Sequence, residues 1–422
     1  MWPFEMWPFE GGPRLRVLTI IHLYPPHHLG GYEIACQGVM ERFGQKGHDV
    51  LVLTGDWRAD ADGATSEVSA SGVEVRRTFK GWWDWEEFAG ASPPLAQRVK
   101  TEGHNQKALR RALRDFRPDV ASIWNLGYMS WTIPTVLERN RLPIVLTFLD
   151  DWVTKAFVFD AWTRIFDRRP WARPIGAVMG LETRLPAFTG AEANVASRFI
   201  GEQIEQNGRW KFPGAPVLPI GVDTAEFPVS SVEDRPWSWR LLYVGRVIPE
   251  KGVPTLVKAL PLISPDARLD IVGHAHQRHR DDLMELAGSL GVADRISFDV
   301  ASSRQDLRDR YRGADLVVFS SEWPEPYGIV PLEAMACGVP VIATGTGGSG
   351  EFLVDGGNCR LFRAGDPVSL AAAARNVAED SDLRATIVAG GMETARRLTM
   401  DHYADELERL HVDALDRAAT GR

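Results

Sequence analysis

Residues 314–344 read ADLVVFSSEWPEPYGIVPLEAMACGVPVIAT. The run DLVVFSS has the composition of a buried strand, the Pro- and Gly-marked stretch after it that of a short loop, PLEAMACG that of a helix, and VPVIAT that of the next strand. Strand, loop, helix and strand in this order make the unit from which parallel sheets are built. The alternation continues outward. LLYVGR (241–246), ARLDIVG (267–273) and RISFDV (295–300) precede the unit as strands, and RLRVLTIIHL (14–23), HDVLVLTG (48–55), PDVASIWN (118–125), PIVLTFLD (143–150) and AEANVAS (191–197) form an earlier series. Between the two series, TAEFPVSSVEDRPWSW (224–239) loses periodicity and gathers proline, serine and charge, as linkers do.

The pattern predicts an α/β protein of two Rossmann-like domains, 14–228 and 240–400, joined by a linker at 229–239. The helical pattern MDHYADELERLHVDALDRA opens the final segment, 401–422. The tandem repeat MWPFEMWPFEGG lacks the basic-then-apolar layout of a secretion signal, and residues 1–13 are read as an unstructured or appended end.

Composition agrees with two cores. The chain has 422 residues, 44% hydrophobic and 25% charged, and no run approaches the length that spans a bilayer. A net charge of -8 disfavours a nucleic-acid partner. Cys36, Cys337 and Cys359 are too far apart for a disulfide framework or a zinc site, so a reducing cytoplasm is the default. Fourteen of the fifteen tryptophans precede residue 240, which sets the N-terminal half apart. Ligands of such sheets bind beyond the carboxyl ends of the strands, so two domains predict a site in the cleft between them.

Glu325 and Glu333 lie at that end of the sheet, one before the Tyr327-Gly328 turn and one inside the helix. The backbone near Gly328 and Ile329 is placed to meet an anion. Carboxylates beside an anion would repel it, so the two glutamates are read as acceptors of hydroxyl hydrogen bonds, as acids are on ribose. A phosphate flanked by hydroxyls describes a nucleotide sugar. In VGRVIPEKG (244–252), also at a strand end, Arg246 offers a bidentate fork and Lys251 a point charge to a diphosphate. Preplaced positive charge can stabilise the departing diphosphate without a metal.

PPHHLGGYE near the N-terminus, VGRVIPEKG, EPYGIVPLEAMACGVPVIAT and TGGSGEFLVDGGN together resemble the family 4 retaining glycosyltransferases of the GT-B fold, over nearly all the chain from residue 14. The resemblance implies two domains facing a central cleft and a last helix crossing back to the N-terminal domain. It also implies a hexosyltransferase-type enzyme that moves a sugar from a nucleotide-diphosphate donor to a hydroxyl acceptor, with retention and without a metal. In the family the first glutamate, here Glu325, holds donor-sugar hydroxyls, the second, Glu333, holds the ribose, and Arg246 and Lys251 grip the diphosphate. Tyr327, Gly328 and Ile329 complete the donor side, and Gly30 and Gly31 let backbone approach the acceptor and the donor phosphates. Base and sugar contacts in this architecture are partly to main chain, for instance around residues 298–300.

Leu149 stands where many relatives carry a histidine. Either Asp150 or Asp151 takes over the histidine's contact; Asp150 is placed with the catalytic residues, and Asp151 and Trp152 with the acceptor. The substituted histidine leaves other readings open, namely a different donor sugar or reduced activity. A phosphorylase or sugar synthase, and a non-catalytic nucleotide-sugar-binding relative, are the alternative functions. The acceptor is a small molecule, a glycan or a lipid-linked precursor.

Four further motifs are weighed. WVTKAFVFDAWTRIFDRRPWARP (152–174) interleaves aromatic residues with Lys155, Arg164, Arg168, Arg169 and Arg173; packing on the N-terminal domain is the preferred reading, a peripheral contact with anionic lipid the other. The aromatic GWWDWEEF (81–88) either fills core or stacks on the acceptor. GTGGSG (345–350) matches a dinucleotide fingerprint but begins the wrong unit, and DAD (60–62) reads as a loop rather than a metal triplet. His274, His276 and His279 are placed on a surface loop.

Overall fold

The computed structural model describes residues 13–28, 30–57, 65–84, 89–90, 93–230 and 236–420. The appended repeat, the DAD triplet, residues 85–88 of the aromatic stretch and residues 231–235 of the linker lie outside the described residues.

The first unit runs β1 (Arg16–Ile21), α1 (Gly31–Gln45), β2 (Asp49–Gly55), β3 (Ser66–Val68), β4 (Glu74–Phe79) and a small hairpin, β5 (Trp83–Asp84) with β6 (Ala89–Gly90). It continues with α2 (Leu95–Phe116), β7 (Val120–Asn125), α3 (Thr132–Arg139), β8 (Ile144–Phe148), the short helices α4 (Trp152–Lys155), α5 (Thr163–Arg168) and α6 (Arg173–Val178), then β9 (Glu192–Val195) and α7 (Arg198–Asn207). Its sheet has the order β3-β4-β2-β1-β7-β8-β9, parallel except for β3. The central strands are buried along their length, which is why they read as continuous apolar runs rather than alternating ones.

The second unit is β10 (Arg240–Val244), α8 (Val253–Ile263), β11 (Arg268–Val272), α9 (Gln277–Ser289), β12 (Ile296–Asp299), α10 (Arg304–Gly313), β13 (Leu316–Phe319), α11 (Val330–Ala336), β14 (Val341–Ala343), β15 (Arg360–Leu361), α12 (Pro367–Glu379) and α13 (Ser381–Arg397). Its six strands are ordered β12-β11-β10-β13-β14-β15, all parallel. In both sheets the order reverses beside the first strand, between β1 and β7 and between β10 and β13. Those are the two points where a doubly wound sheet opens a crevice.

The last helix, α14 (Met400–Thr420), returns to the first unit. Arg42 bonds Asp401, Lys46 bonds Asp405 and Glu408, and Arg417 pairs with Glu192. His279 lies inside α9 with His276 at its N-cap, so the histidines are not all on a loop; His279 Nδ1 is 3.1 Å from the Val247 carbonyl. No described helix is long and apolar enough to cross a membrane.

Candidate active site in the interdomain cleft

A cleft of about 1310 Å³ separates the two sheets, with Asn125, Leu149 and Asp150 at strand ends on one wall and Gly245, Arg246, Ser320 and Glu325 at strand ends on the other. Its volume exceeds what one small ligand needs, as a two-substrate site requires.

On the C-terminal wall two loops are knitted together. After β10 the chain turns through Pro249–Lys251 into Gly252, whose φ of +67° is left-handed and where a Cβ would lie 2.0 Å from the Ser320 carbonyl oxygen. Only glycine fits there. The Ser320 hydroxyl donates to the Lys251 carbonyl at 2.9 Å, and the Glu322 N–H donates to the Glu250 carbonyl at 2.9 Å. This closeness brings Lys251 Nζ to 2.6 Å from Glu325 Oε1. Arg246 lines the cleft beside them and has no carboxylate within ion-pair distance among the described residues.

Glu325 itself is buried and held by the GTGGSG segment. The Gly348 N–H donates to the Glu325 carbonyl at 2.7 Å and the Glu325 N–H to the Thr346 carbonyl at 3.2 Å. Gly347, at φ +63°, would put a Cβ 2.5 Å from that same Glu325 carbonyl oxygen. These glycines thus serve the close approach of two backbones, a function the dinucleotide comparison did not suggest.

Glu333, also buried, has both oxygens engaged. Arg304 Nη2 donates to Oε1 at 2.7 Å and the Tyr311 hydroxyl to Oε2 at 2.8 Å, while the Arg304 guanidinium stacks over Phe227, 4.4 Å from the ring centre. Sequence reasoning missed Arg304 and Tyr311. Their i, i+7 spacing places them on one face of α10, which was the available signal. The helix that Glu333 belongs to has only seven residues, so its dipole is a weak anion site, and the positive charge lining this part of the wall comes from the side chains of Arg246 and Lys251. Gly328 takes φ +93°; Tyr327 is core, its ring 5.0 Å from that of Phe352. Ile329 faces the other domain, since a Cβ on Gly31 would lie 3.8 Å from its Cγ2. Around Gly30 there is open space.

On the N-terminal wall, His22 Nε2 is 3.0 Å from Glu33 Oε1, and the Gly30 N–H donates to Glu33 Oε2 at 3.2 Å. Burial works to raise Glu33, but the hydrogen bonds from His22 and from backbone N–H groups outweigh it, and the carboxyl sits below its ordinary value. Asp150 accepts the Trp152 N–H at 2.9 Å. Burial pushes the Asp150 carboxyl up to about 6, with the neighbouring Asp151 adding to the effect against the Trp152 N–H, His22 and Lys155. Asp151 pairs with Lys155 at 2.8 Å. Trp152 is nearly all core, stacked on Trp131 at 5.5 Å between ring centres, and only its edge reaches the cleft. Sequence reasoning also missed Tyr32, whose hydroxyl accepts the Leu149 N–H at 3.2 Å and so fixes the segment that carries Asp150.

The two aromatic stretches divide. Trp82, Trp162 and Phe166 are buried together, Trp83 lies 4.1 Å from Tyr128 of the cleft, and Trp171 is exposed.

A family model described as glycosyl transferases group 1 matches residues 233–393. A D-inositol 3-phosphate glycosyltransferase of Thermomonospora curvata is 32% identical over 436 residues, covering 96% of this chain and 96% of that protein. A glycogen synthase of Mycobacterium tuberculosis is 28% identical over 382 residues, covering 87% of this chain and 86% of its own. Among solved structures the chain is similar to sucrose-phosphate synthase from Thermosynechococcus elongatus, with a TM-score of 0.71 and 20% identity over 94% of this chain and 98% of that one.

Proposed function

The chain belongs to the group 1 glycosyltransferases and has the GT-B fold, and on that premise we propose that it transfers a sugar from a nucleotide-diphosphate donor to a hydroxyl acceptor, with retention and without a metal. The observation that carries this reading is the convergence of Arg246, Lys251, Glu325 and Glu333 on one wall, opposite Asp150 on the other.

Arg246 and Lys251 meet the diphosphate, where negative charge grows as the glycosidic bond to phosphate breaks; cations already in place lower that barrier without reorganising. Glu325, held by Lys251, accepts hydroxyls of the donor sugar. Glu333 takes the ribose hydroxyls by exchanging one of its internal partners, Arg304 or Tyr311. The acceptor enters beside Asp150, whose carboxylate replaces the histidine of many relatives. The departing phosphate oxygen takes the acceptor proton on the same face, which gives retention and needs no protein base. Closure of the cleft excludes water from this step.

A thermal-shift panel of UDP-, GDP-, ADP- and dTDP-sugars tests the donor assignment, since a ligand of the folded state raises its stability. One nucleotide series should shift the transition. Its transfer product should keep the donor's anomeric configuration by NMR and form equally well in excess EDTA. No shift with any donor sinks the reading.

A further inference from the structure

We propose that residues 168–179 and the outer face of α2 form a docking surface for an anionic lipid bilayer.

The segment from α5 to α6 has a fixed base and an uncovered tip. At the base, the buried Asp160 carboxylate accepts the N–H groups of Trp131, Trp162 and Thr163 at 2.8 to 2.9 Å, and Trp162 Nε1 donates to the Glu182 carbonyl at 2.8 Å. At the tip, Trp171 is 74% exposed, Ile175 57% and Val178 91%, with Met179 beside them. So much apolar surface on a firmly anchored knuckle marks an interaction site rather than loose packing.

Charge identifies the partner. Arg168 and Arg169 are exposed at the knuckle and, with Arg173, have no carboxylate within ion-pair distance among the described residues; the nearby acids are engaged, Asp160 by backbone and Asp167 by Arg209. Helix α2 packs against the same segment, Gln106 Nε2 donating to the Glu182 carbonyl at 3.1 Å and Arg110 to the Gly180 carbonyl at 3.3 Å. Away from its buried side α2 exposes Lys100, Lys107, Arg111 and Arg114, spaced as one helical face, and among the described residues only Arg111 of these has an acid partner, Asp115. Exposed arginines at an exposed aromatic-aliphatic tip, on a segment packed against a helix with a basic outer face, fit the surface of an anionic bilayer and not a neutral one, all the more in a chain of net charge -8. Lys155 and Phe159, which line the cleft, precede α5 in the chain by a few residues.

Sedimentation of the full chain with phosphatidylglycerol vesicles and with phosphatidylcholine vesicles tests this. Binding to the anionic vesicles that weakens with salt is expected, with little binding to the neutral ones. Trp171→Glu with Val178→Glu, and separately Lys107→Glu with Arg111→Glu and Arg114→Glu, should each reduce the partition by at least about tenfold. Both sets alter exposed positions, so the melting temperature should hold and any donor-induced shift should be unchanged. Equal partition of wild type and both variants overturns the proposal, as does equal affinity for the two lipids. So does a wild-type dimer that Trp171→Glu dissociates, which would mean that a second copy covers the face. Vesicle binding without a shift by any nucleotide sugar would sink the function and leave the docking surface standing; the converse would sink the surface alone.

Discussion

Glu325 and Glu333 are both buried carboxylates with a cation already at hand, yet neutralising them should have different consequences. Glu325→Gln removes the charge that holds Lys251 at 2.6 Å and the acceptor for sugar hydroxyls at once, so turnover should fall about 10- to 100-fold, the worth of one charged hydrogen bond. Glu333→Gln should instead raise the donor KM about tenfold with kcat nearly kept, because ribose lies away from the breaking bond. Steady-state kinetics in which both variants match wild type would remove the pair from the site. Asp150 carries a pH prediction. Its carboxyl is pushed up to about 6 by burial, so the free enzyme loses the charged form, and with it kcat/KM, as pH falls through 6. Asp150→Asn should be slower but flat across that range; a wild-type profile already flat there would rule out the role. The glutamates and the two loop cations were legible in sequence because each sits at a fixed offset from a strand end. Arg304, Tyr311, His22 and Tyr32 were not, since their partners come from other elements that only the folded chain brings near.

At the scale of elements, the strand-helix alternation was readable because strands buried on both faces leave continuous apolar runs. The docking of α14 was not readable in detail. Its seam holds Glu408, 2.9 Å from His48 and also bound by Lys46, next to the buried His411, whose Nδ1 is 2.6 Å from the Leu407 carbonyl. Burial holds His411 down at about 4, so between its ordinary 6.5 and 4 the unfolded chain binds a proton that the folded chain refuses, and stability falls as pH falls. Burial alone would raise Glu408, but His48 and Lys46 outweigh it and hold it at about 2; its contribution, present above the ordinary 4.5, is lost as pH drops from there toward 2. The two act in sequence and in the same direction. Hydrogen-exchange protection factors, corrected for the intrinsic pH dependence, should fall on α14 below pH 6 ahead of those on the β-sheets, and Glu408→Gln should cost about 2 kcal/mol at pH 7. An α14 that exchanges with the sheets at every pH would show that the seam does not titrate separately. The glycine-rich segment teaches the converse lesson: its spacing was plain in sequence, but its purpose, bringing backbone against Glu325, depends on β14 lying beside β13.

For the molecule as a whole, the question is what keeps two domains in register across a wide cleft. Besides α14 and the contacts around Phe227 and Gly31, several direct ties gather at one edge. Glu351 from the C-terminal unit accepts the N–H groups of Phe199 at 2.9 Å and Arg198 at 3.1 Å, capping α7 of the other unit where the helix dipole favours an anion. The Ser197 hydroxyl donates to the Pro326 carbonyl at 2.6 Å, and Lys155 lies 5.6 Å from the Trp323 ring centre across the opening. Pro326 immediately follows Glu325, so a tie between the two units also holds the loop that carries Glu325. Replacing Glu351 by alanine removes a cap worth about 1 kcal/mol and leaves each sheet untouched. The expected result in differential scanning calorimetry is not a large loss of stability but a loss of cooperativity. The single transition of the wild type should broaden or split as the domains melt independently, and the donor KM should rise because the cleft walls no longer hold Glu325 and Asp150 at a fixed separation. If Glu351→Ala still melts in one transition with calorimetric and van't Hoff enthalpies equal, α14 alone couples the domains and the α7 cap is local.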